Sequence, residues 1–576
     1  MKKTTLYLLI IGGVLLLTIF SLVWIIAGPS GPIILSKQTT YLTGPLNANG
    51  LIDYERAILE MQAANVEPQE NAAIPYLQAM WPCELTPEEQ AWVCNALQMS
   101  QPSQHGMVHS GSDATLDAVT DWLNQQQAVN ADAQDLTPLT KTDALVAVGL
   151  AYWTPWTREQ LPPLADWLDQ QAPHFAKLHE INERPKYFLP SPSFLNNQSD
   201  AILNCLMQTI QAQREAARCL SVRAMLHVGE NRPRKAWEDM KTLFVLSRCH
   251  SRPGFLVELL VSAAVRGMAC GELQVLLSSG QCDAQLLGEI EQFLAQLQPF
   301  DEMALAIGTT ERMMGLDAAV ALCTQEGAAN DLLGDADQLS ALAHVPFDRN
   351  AMLVKLNEWY DRMVVILEIK DLNERQAAAD QLEIEIETMA AGIKDPSNLA
   401  GAIFNQSSRG EWIAQFFGML LLPAVTQAGQ AEERLNLQVQ LLRVAVALEL
   451  MKAESGDYPA SLDALANRID PLLLQDPYSG DRLHYEQRAP GYLLYSIFMD
   501  RKDDGGTSTN GDIEAGEWLP EPTAQTFEDG DMVIRFPQPQ KKFLDPPPWE
   551  VAQDEIAIEL EVEEQPSLET ASPSEE

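Results

Sequence analysis

The feature that most constrains this chain stands at its start. Met1, Lys2 and Lys3 precede an uncharged apolar run from Leu6 to Ala27. At 1.5 Å per residue, about 20 such residues cross the ~30 Å hydrocarbon core of a bilayer. The run is longer than the ~7–15 apolar residues of a cleaved secretory signal, and Ala27-Gly28-Pro29 is a poor cleavage site. Two lysines before the run, with no early basic cluster after it, orient the N-terminus toward the cytoplasm. The expectation is a single-pass anchor in a bacterial inner (cytoplasmic) membrane, with the body in the periplasm or outside. The membrane partner is engaged through Leu6–Ala27.

Charge limits what the body can meet. The 80 acidic and 38 basic residues give a formal net charge of −42. That field repels phosphate backbones and anionic headgroups and suits divalent cations or basic protein surfaces. No nucleic acid is expected as a partner. Protein partners are, without their identity being readable. The eight cysteines form no CxxC pair and no zinc-like cadence, and Cys83–Cys94 is the local candidate for a bridge.

Along the chain, residues 1–28 read as cytoplasmic stub and anchor, and 29–50 as a Gly/Pro/Ser/Thr-bearing linker. A first helical region covers 51–190. Within it Thr86-Pro87-Glu88-Glu89 is a helix start with a cap, a proline and acids in the first turn. Residues 191–423 form a helical body. There Ala216, Leu220, Ala224 and Val228 recur every four residues, Gly229-Glu230-Asn231 interrupts, and a second helix follows. This pair resembles a tetratricopeptide-type hairpin, although no tandem repeat of fixed period is visible. Residues 424–536 read as a long helix ending at Gly456, then strands in Arg482–Arg488, Gly491–Phe498 and MVIRF. Residues 537–576 are Pro- and Glu-rich and read as a disordered acidic tail. The fold class expected is mainly α: a transmembrane helix, a large bundle- or solenoid-like body, and a small C-terminal α+β module with an antiparallel meander.

The densest chemical signal is the acidic, Gly-bearing loop with Asp500, Asp503, Asp504, Asn510, Asp512 and Glu514. Crowded carboxylates and carbonyls are hard oxygen donors of the kind calcium takes. The spacing is not that of an EF-hand. Asp500, Asp512, Asp503 and Asp504 are the candidate metal ligands, and calcium is the candidate cofactor.

The stretch LLRVAVALELMKAESGDYPASLDAL, followed by DPYSGDRLHYEQRAPGYLLYSIFMDRKDDGG and NGDI, resembles the C-terminal part of the major pseudopilin of type II secretion systems. The resemblance covers about a sixth of the chain. Asp476-Pro477-Tyr478, Tyr495-Ser496, Asp500 and Asp512-Ile513 fall on that family's motif positions. It implies calcium bound by Asp500 and Asp512, with backbone oxygens near Leu494–Ile497. The chain departs from the family by lacking the Gly-Phe-Thr-Leu-x-x-Glu assembly motif, and roughly 400 residues separate its apolar run from the pilin-like helix. The whole arrangement, through RAMLHVGENRPRKAW, LVKLNEWYDR and ESGDYPASLDAL, is similar to a group of membrane-anchored proteins of planctomycete-type bacteria. That likeness supplies an architecture and no activity.

No catalytic signature stands out. His174 and His179-Glu180 do not make HExxH, and there is no GxSxG, P-loop or GxGxxG in strand context. His105, His109, Ser110 and Asp113 fit a polar surface loop better than a nucleophile cluster. Trp81, Trp92, Trp153, Trp156 and Trp167 fit helix packing better than a ligand groove. The function expected is a non-enzymatic envelope scaffold or adaptor. The alternatives are a hydrolase-like envelope enzyme with an active site in the helical body, and an accessory part of a secretion or pilus-like system.

Overall fold

A computed structural model describes residues 29–81, 85–102, 106–130, 137–190, 199–324, 345–393, 405–507, 530–538 and 542–545. The apolar run Leu6–Ala27 and most of the acidic tail lie outside them. Among the described residues no helix is long and apolar enough to cross a membrane. These residues are mainly helical, with one three-stranded antiparallel sheet. They divide into two compact units, each assembled from separated stretches of chain.

Unit 1 comprises Met1–Asn65, Ser251–Leu260 and Asp301–Glu433. It holds α1 (Tyr54–Ala63), α12 (Met303–Ala306), a π-helical turn (Ile307–Glu311), α13 (Arg312–Thr324), α14 (Arg349–Glu368) and α15 (Leu372–Ile393). It also contains the starts of α10 (Leu256–Ser278) and α16 (Gln406–Ser455). Asp53 caps α1, its side chain accepting from Arg56 N, and Asp348 caps α14 through Asn350 N and Ala351 N. α13 and α14 meet closely: a Cβ on Gly315 would stand 2.2 Å from the Tyr360 hydroxyl, which donates to Glu311 O at 3.0 Å. The stretch read as a linker is strapped to α14 instead of running free. Asn350 Nδ2 donates to Pro32 O, Asn357 Nδ2 donates to Thr39 O, and Thr39 and Thr40 are buried. Two asparagines thus satisfy carbonyls that this Thr/Pro-bearing segment would otherwise leave to water.

Unit 2 comprises Val66–His250, Val261–Phe300 and Arg434–Glu576. Its helices are α2 (Ala73–Met80), α3 (Pro87–Ala96), α4 (Asp113–Asn130), α5 (Lys141–Trp153), α6 (Pro162–Gln170), α7 (Ala172–His179), α8 (Ser199–Gly229), α9 (Pro233–Leu246) and α11 (Ala284–Gln296), with the rest of α10 and α16. The Thr86 start is a complete capping box with Glu89. α8 and α9 form the expected antiparallel pair. At its turn Gly229 is required, because a Cβ there would meet the Trp156 carbonyl oxygen at 2.0 Å. Trp156 itself is fully buried and donates from Nε1 to Val222 O at 3.1 Å. Trp81 and Trp167 are buried as well, so these three tryptophans are core. Cys94 is a free buried thiol, and Cys83 lies outside the described residues.

The C-terminal part of unit 2 begins where α16 ends. Gly456, at φ +92°, breaks the helix, and Tyr458 packs edge-on against Tyr492 at 4.9 Å. The sheet is β1 (His484–Arg488), β2 (Gly491–Ser496) and β3 (Met532–Phe536), in that order and antiparallel throughout. Every residue of central β2 is buried, in keeping with GYLLYS carrying apolar or aromatic side chains on both faces. A Cβ on Gly491 would collide with the Phe536 carbonyl, which lets β2 and β3 close tightly.

Candidate cation site

Asp476 sets the frame of the site. It is fully buried, and its Oδ1 accepts from Tyr478 N at 2.9 Å and Ser496 Oγ at 2.8 Å, while Oδ2 accepts from Ile497 N at 3.0 Å. One carboxylate therefore ties the Asp-Pro-Tyr turn to the end of β2. Asp476 is a structural staple here, with three of its lone-pair directions in use.

Beyond β2 the chain turns through Phe498 (φ +49°), Arg501 (φ +58°), Gly505 (φ +67°) and Gly506 (φ +79°). At Gly506 the absence of a side chain is also steric, since a Cβ would stand 2.7 Å from Leu493 Cδ2. This turn carries the acidic residues. Asp503 Oδ1 accepts from Tyr495 Oη at 3.0 Å and from Gly505 N at 2.9 Å. Those bonds, the backbone one foremost, hold its carboxyl below the ordinary aspartate range. Asp504 is exposed, and its carbonyl accepts from Thr507 Oγ1. Asp500 is engaged with its own turn: Oδ1 accepts from Lys502 N at 3.0 Å and Oδ2 pairs with Lys502 Nζ at 3.3 Å. Asp512 lies outside the described residues.

The residue that sequence reasoning passed over is Asp531. It immediately precedes β3 and is fully buried. Its Oδ2 accepts from Gly506 N at 2.8 Å, its own N donates to Thr507 O at 2.9 Å, and its Oδ1 has no partner. Burial pushes this carboxyl up to about 6 against the backbone N–H groups of Gly506 and Asp504, and the nearby charges of Asp503 and Asp504 add to the rise. The structure thus brings Asp503 and Asp504 toward Asp531, while Asp500 is held by Lys502. The available signal was an acid at the first position of a strand that must close on a Gly-Gly turn. The 24 residues between Gly506 and Asp531 hid it.

The donor chemistry is right for a hard cation: a buried carboxylate oxygen with no hydrogen bond, beside two further carboxylates. Within the described residues the set is incomplete, since no three His, Cys, Asp or Glu side chains converge closely enough to hold a metal ion.

The other polar cluster drawn from sequence is not assembled as a nucleophile site. Ser110 shares a 3.1 Å hydrogen bond with the Tyr152 hydroxyl, Asp113 pairs with Lys141 at 2.7 Å, and His105 lies outside the described residues.

Fold and site together define a mainly helical, two-unit chain with a small antiparallel sheet module bearing an acidic turn. Compared with protein-family models, curated proteins and solved structures, the chain matches none.

Proposed function

We propose that this protein is a membrane-tethered envelope scaffold or adaptor, non-enzymatic, with a C-terminal module stabilised by calcium. The Asp531 carboxylate carries the reading. A buried aspartate oxygen without a hydrogen bond, with the negative charges of Asp503 and Asp504 bearing on it, is costly in the absence of a counter-charge, and a hard divalent cation supplies one. The stretch of sequence between Gly506 and Asp531 contains Asp512 and Glu514, which add oxygen donors in sequence. The resemblance of this stretch to the calcium-bearing end of major pseudopilins points the same way.

The tether rests on Leu6–Ala27 and the two lysines before it, and it places the body outside the cytoplasm at the inner membrane. The adaptor role rests on the paired helices with apolar seams, such as α8 with α9. Such pairs hold rigid faces toward partners.

The test is in-cell cross-linking followed by purification of the tagged full chain from membranes, in calcium and in chelator. A reproducible set of envelope proteins, diminished by chelator or by Asp531→Asn, is the expected result. A chain recovered alone under all three conditions contradicts the adaptor reading.

A further inference from the structure

The three-stranded sheet of unit 2 is open at β1. This strand pairs with β2 on one side, and among the described residues no strand lies on its other side. Glu486, Gln487 and Arg488 are exposed there. An open edge presents unpaired N–H and C=O groups, so it can take up an extended chain whose side chains match its two faces. The faces of β1 differ. His484, Glu486 and Arg488 share the face of Tyr495, and the His484 ring stacks on Tyr495 at 4.6 Å. Arg488 pairs with Glu486 at 2.6 Å, and His484 Nδ1 stands 3.7 Å from Asp503 Oδ2. Tyr485 and Gln487 share the opposite face with Tyr492, whose ring lies 6.0 Å from Tyr485 and 4.9 Å from Phe536. One face of the edge is charged, and the other continues an aromatic row.

A segment with the complementary pattern lies in the acidic tail. Residues 555–562 read EIAIELEV and fall outside the described residues. Ile556, Ile558, Leu560 and Val562 alternate with Glu555, Ala557, Glu559 and Glu561. Strict alternation with β-branched residues is a strand pattern, whereas a helix would split the same four apolar side chains between opposite faces. Four apolar side chains form no core alone, but beside β1 they extend the row of Tyr485 and Tyr492. The tail returns to unit 2 before this point. Gln538 N donates to Ser278 Oγ at 3.3 Å, and the Phe543 ring lies 6.1 Å from that of Trp156. The ten residues from Asp545 to Glu555 reach up to about 35 Å when extended.

We propose that residues 555–562 dock antiparallel on the outer edge of β1 as a fourth strand, with Ala557 opposite Glu486, Glu555 opposite Arg488 and Glu559 opposite His484. An antiparallel addition keeps the sheet of one kind. The register follows from the charges. Sliding the segment by two residues in either direction sets Glu555 or Glu559 opposite Glu486, where like charges repel. Sliding it by one turns the four apolar side chains onto the charged face. In the chosen register Glu561 also falls opposite Arg482, which precedes β1 and is half exposed. The other edge, β3, suits a Glu-bearing strand less well. Asp531 stands at its start, and Arg535, on the same face as Tyr495's neighbour Leu493, already donates to Gly506 O.

The test is hydrogen exchange of residues 556–562 in the full chain, at two protein concentrations. In wild type this segment is expected to exchange at least about tenfold more slowly than an unstructured peptide of the same sequence. Ala557→Glu sets like charges face to face and is expected to lower that protection about fivefold, and adding Glu486→Lys to it is expected to restore the protection. Ala557 lies in the tail and Glu486 is exposed, so both variants leave the core of unit 2 untouched. A segment that exchanges at the unstructured rate in wild type overturns the proposal. So does an Ala557→Glu effect that is absent, or one that Glu486→Lys does not restore. Protection that falls on dilution overturns it too, because the segment then sits on the edge of a second copy.

Discussion

Asp476 and Asp531 are both fully buried in the same small module, yet they differ in what surrounds them. Asp476 receives three hydrogen bonds and closes a turn onto β2. Asp476→Ala leaves the Ile497 and Tyr478 amides without their acceptor, so a loss of about 2–4 kcal/mol is expected, read as a lower urea midpoint for the sheet. Asp531 has one oxygen engaged and one free, and its carboxyl is raised to about 6. Because the folded value lies above the ordinary 3.8, its contribution is fully present below that pH and is lost as pH rises through 6. Asn can keep the bond from Gly506 without the charge. In chelator at pH 8, Asp531→Asn should therefore stabilise the module by about 1 kcal/mol, and it should abolish any gain from added calcium. A destabilised variant that still responds to calcium contradicts that assignment.

Among the elements, the α8–α9 turn and the α3 start give the sharpest expectations. Gly229→Ala drives a methyl into the Trp156 carbonyl, so the helix pair must part or Trp156 must move, and a loss above about 2 kcal/mol is expected from thermal unfolding followed by tryptophan fluorescence. Thr86→Ala removes half of an exposed capping box and should cost about 1 kcal/mol in the same assay. These elements were readable because their signals are local. The Thr-Pro-Glu-Glu start, the four-residue apolar cadence of α8, the alternation in β1 and the Tyr/Leu/Ile richness of β2 all act within one turn or one strand. Joins and partners were not readable. The helix expected from 424 begins at Gln406 and runs on through Pro423. The seat of residues 29–50 on α14 depends on asparagines more than 300 positions away. Asp531 was missed for the same reason: its meaning comes from Gly506, 25 positions earlier in the chain.

At the scale of the whole molecule, charge and chain path matter most. Unit 1 holds several carboxyls raised chiefly by burial: Glu55, Glu258 and Glu432 to about 7, and Asp317 to about 6. Each favours the folded state below its ordinary value and loses that contribution as pH rises through 6 to 7. Unit 1 should therefore resist unfolding better at pH 5.5 than at pH 8, read as slower hydrogen exchange in α13 and α14 after correction for intrinsic rates. Equal protection at the two pH values contradicts this account of its buried acids. A net charge of −42 adds general self-repulsion, which makes a cation at the acidic turn more valuable than it would be on a neutral chain. The most direct measurement is hydrogen exchange of the β3 segment, Met532–Phe536, in the full chain with calcium and with chelator, for wild type and Asp531→Asn. Calcium-dependent protection of about tenfold or more in wild type, absent from the variant, is the outcome predicted. No change with calcium, or equal protection in Asp531→Asn, contradicts the calcium-stabilised module.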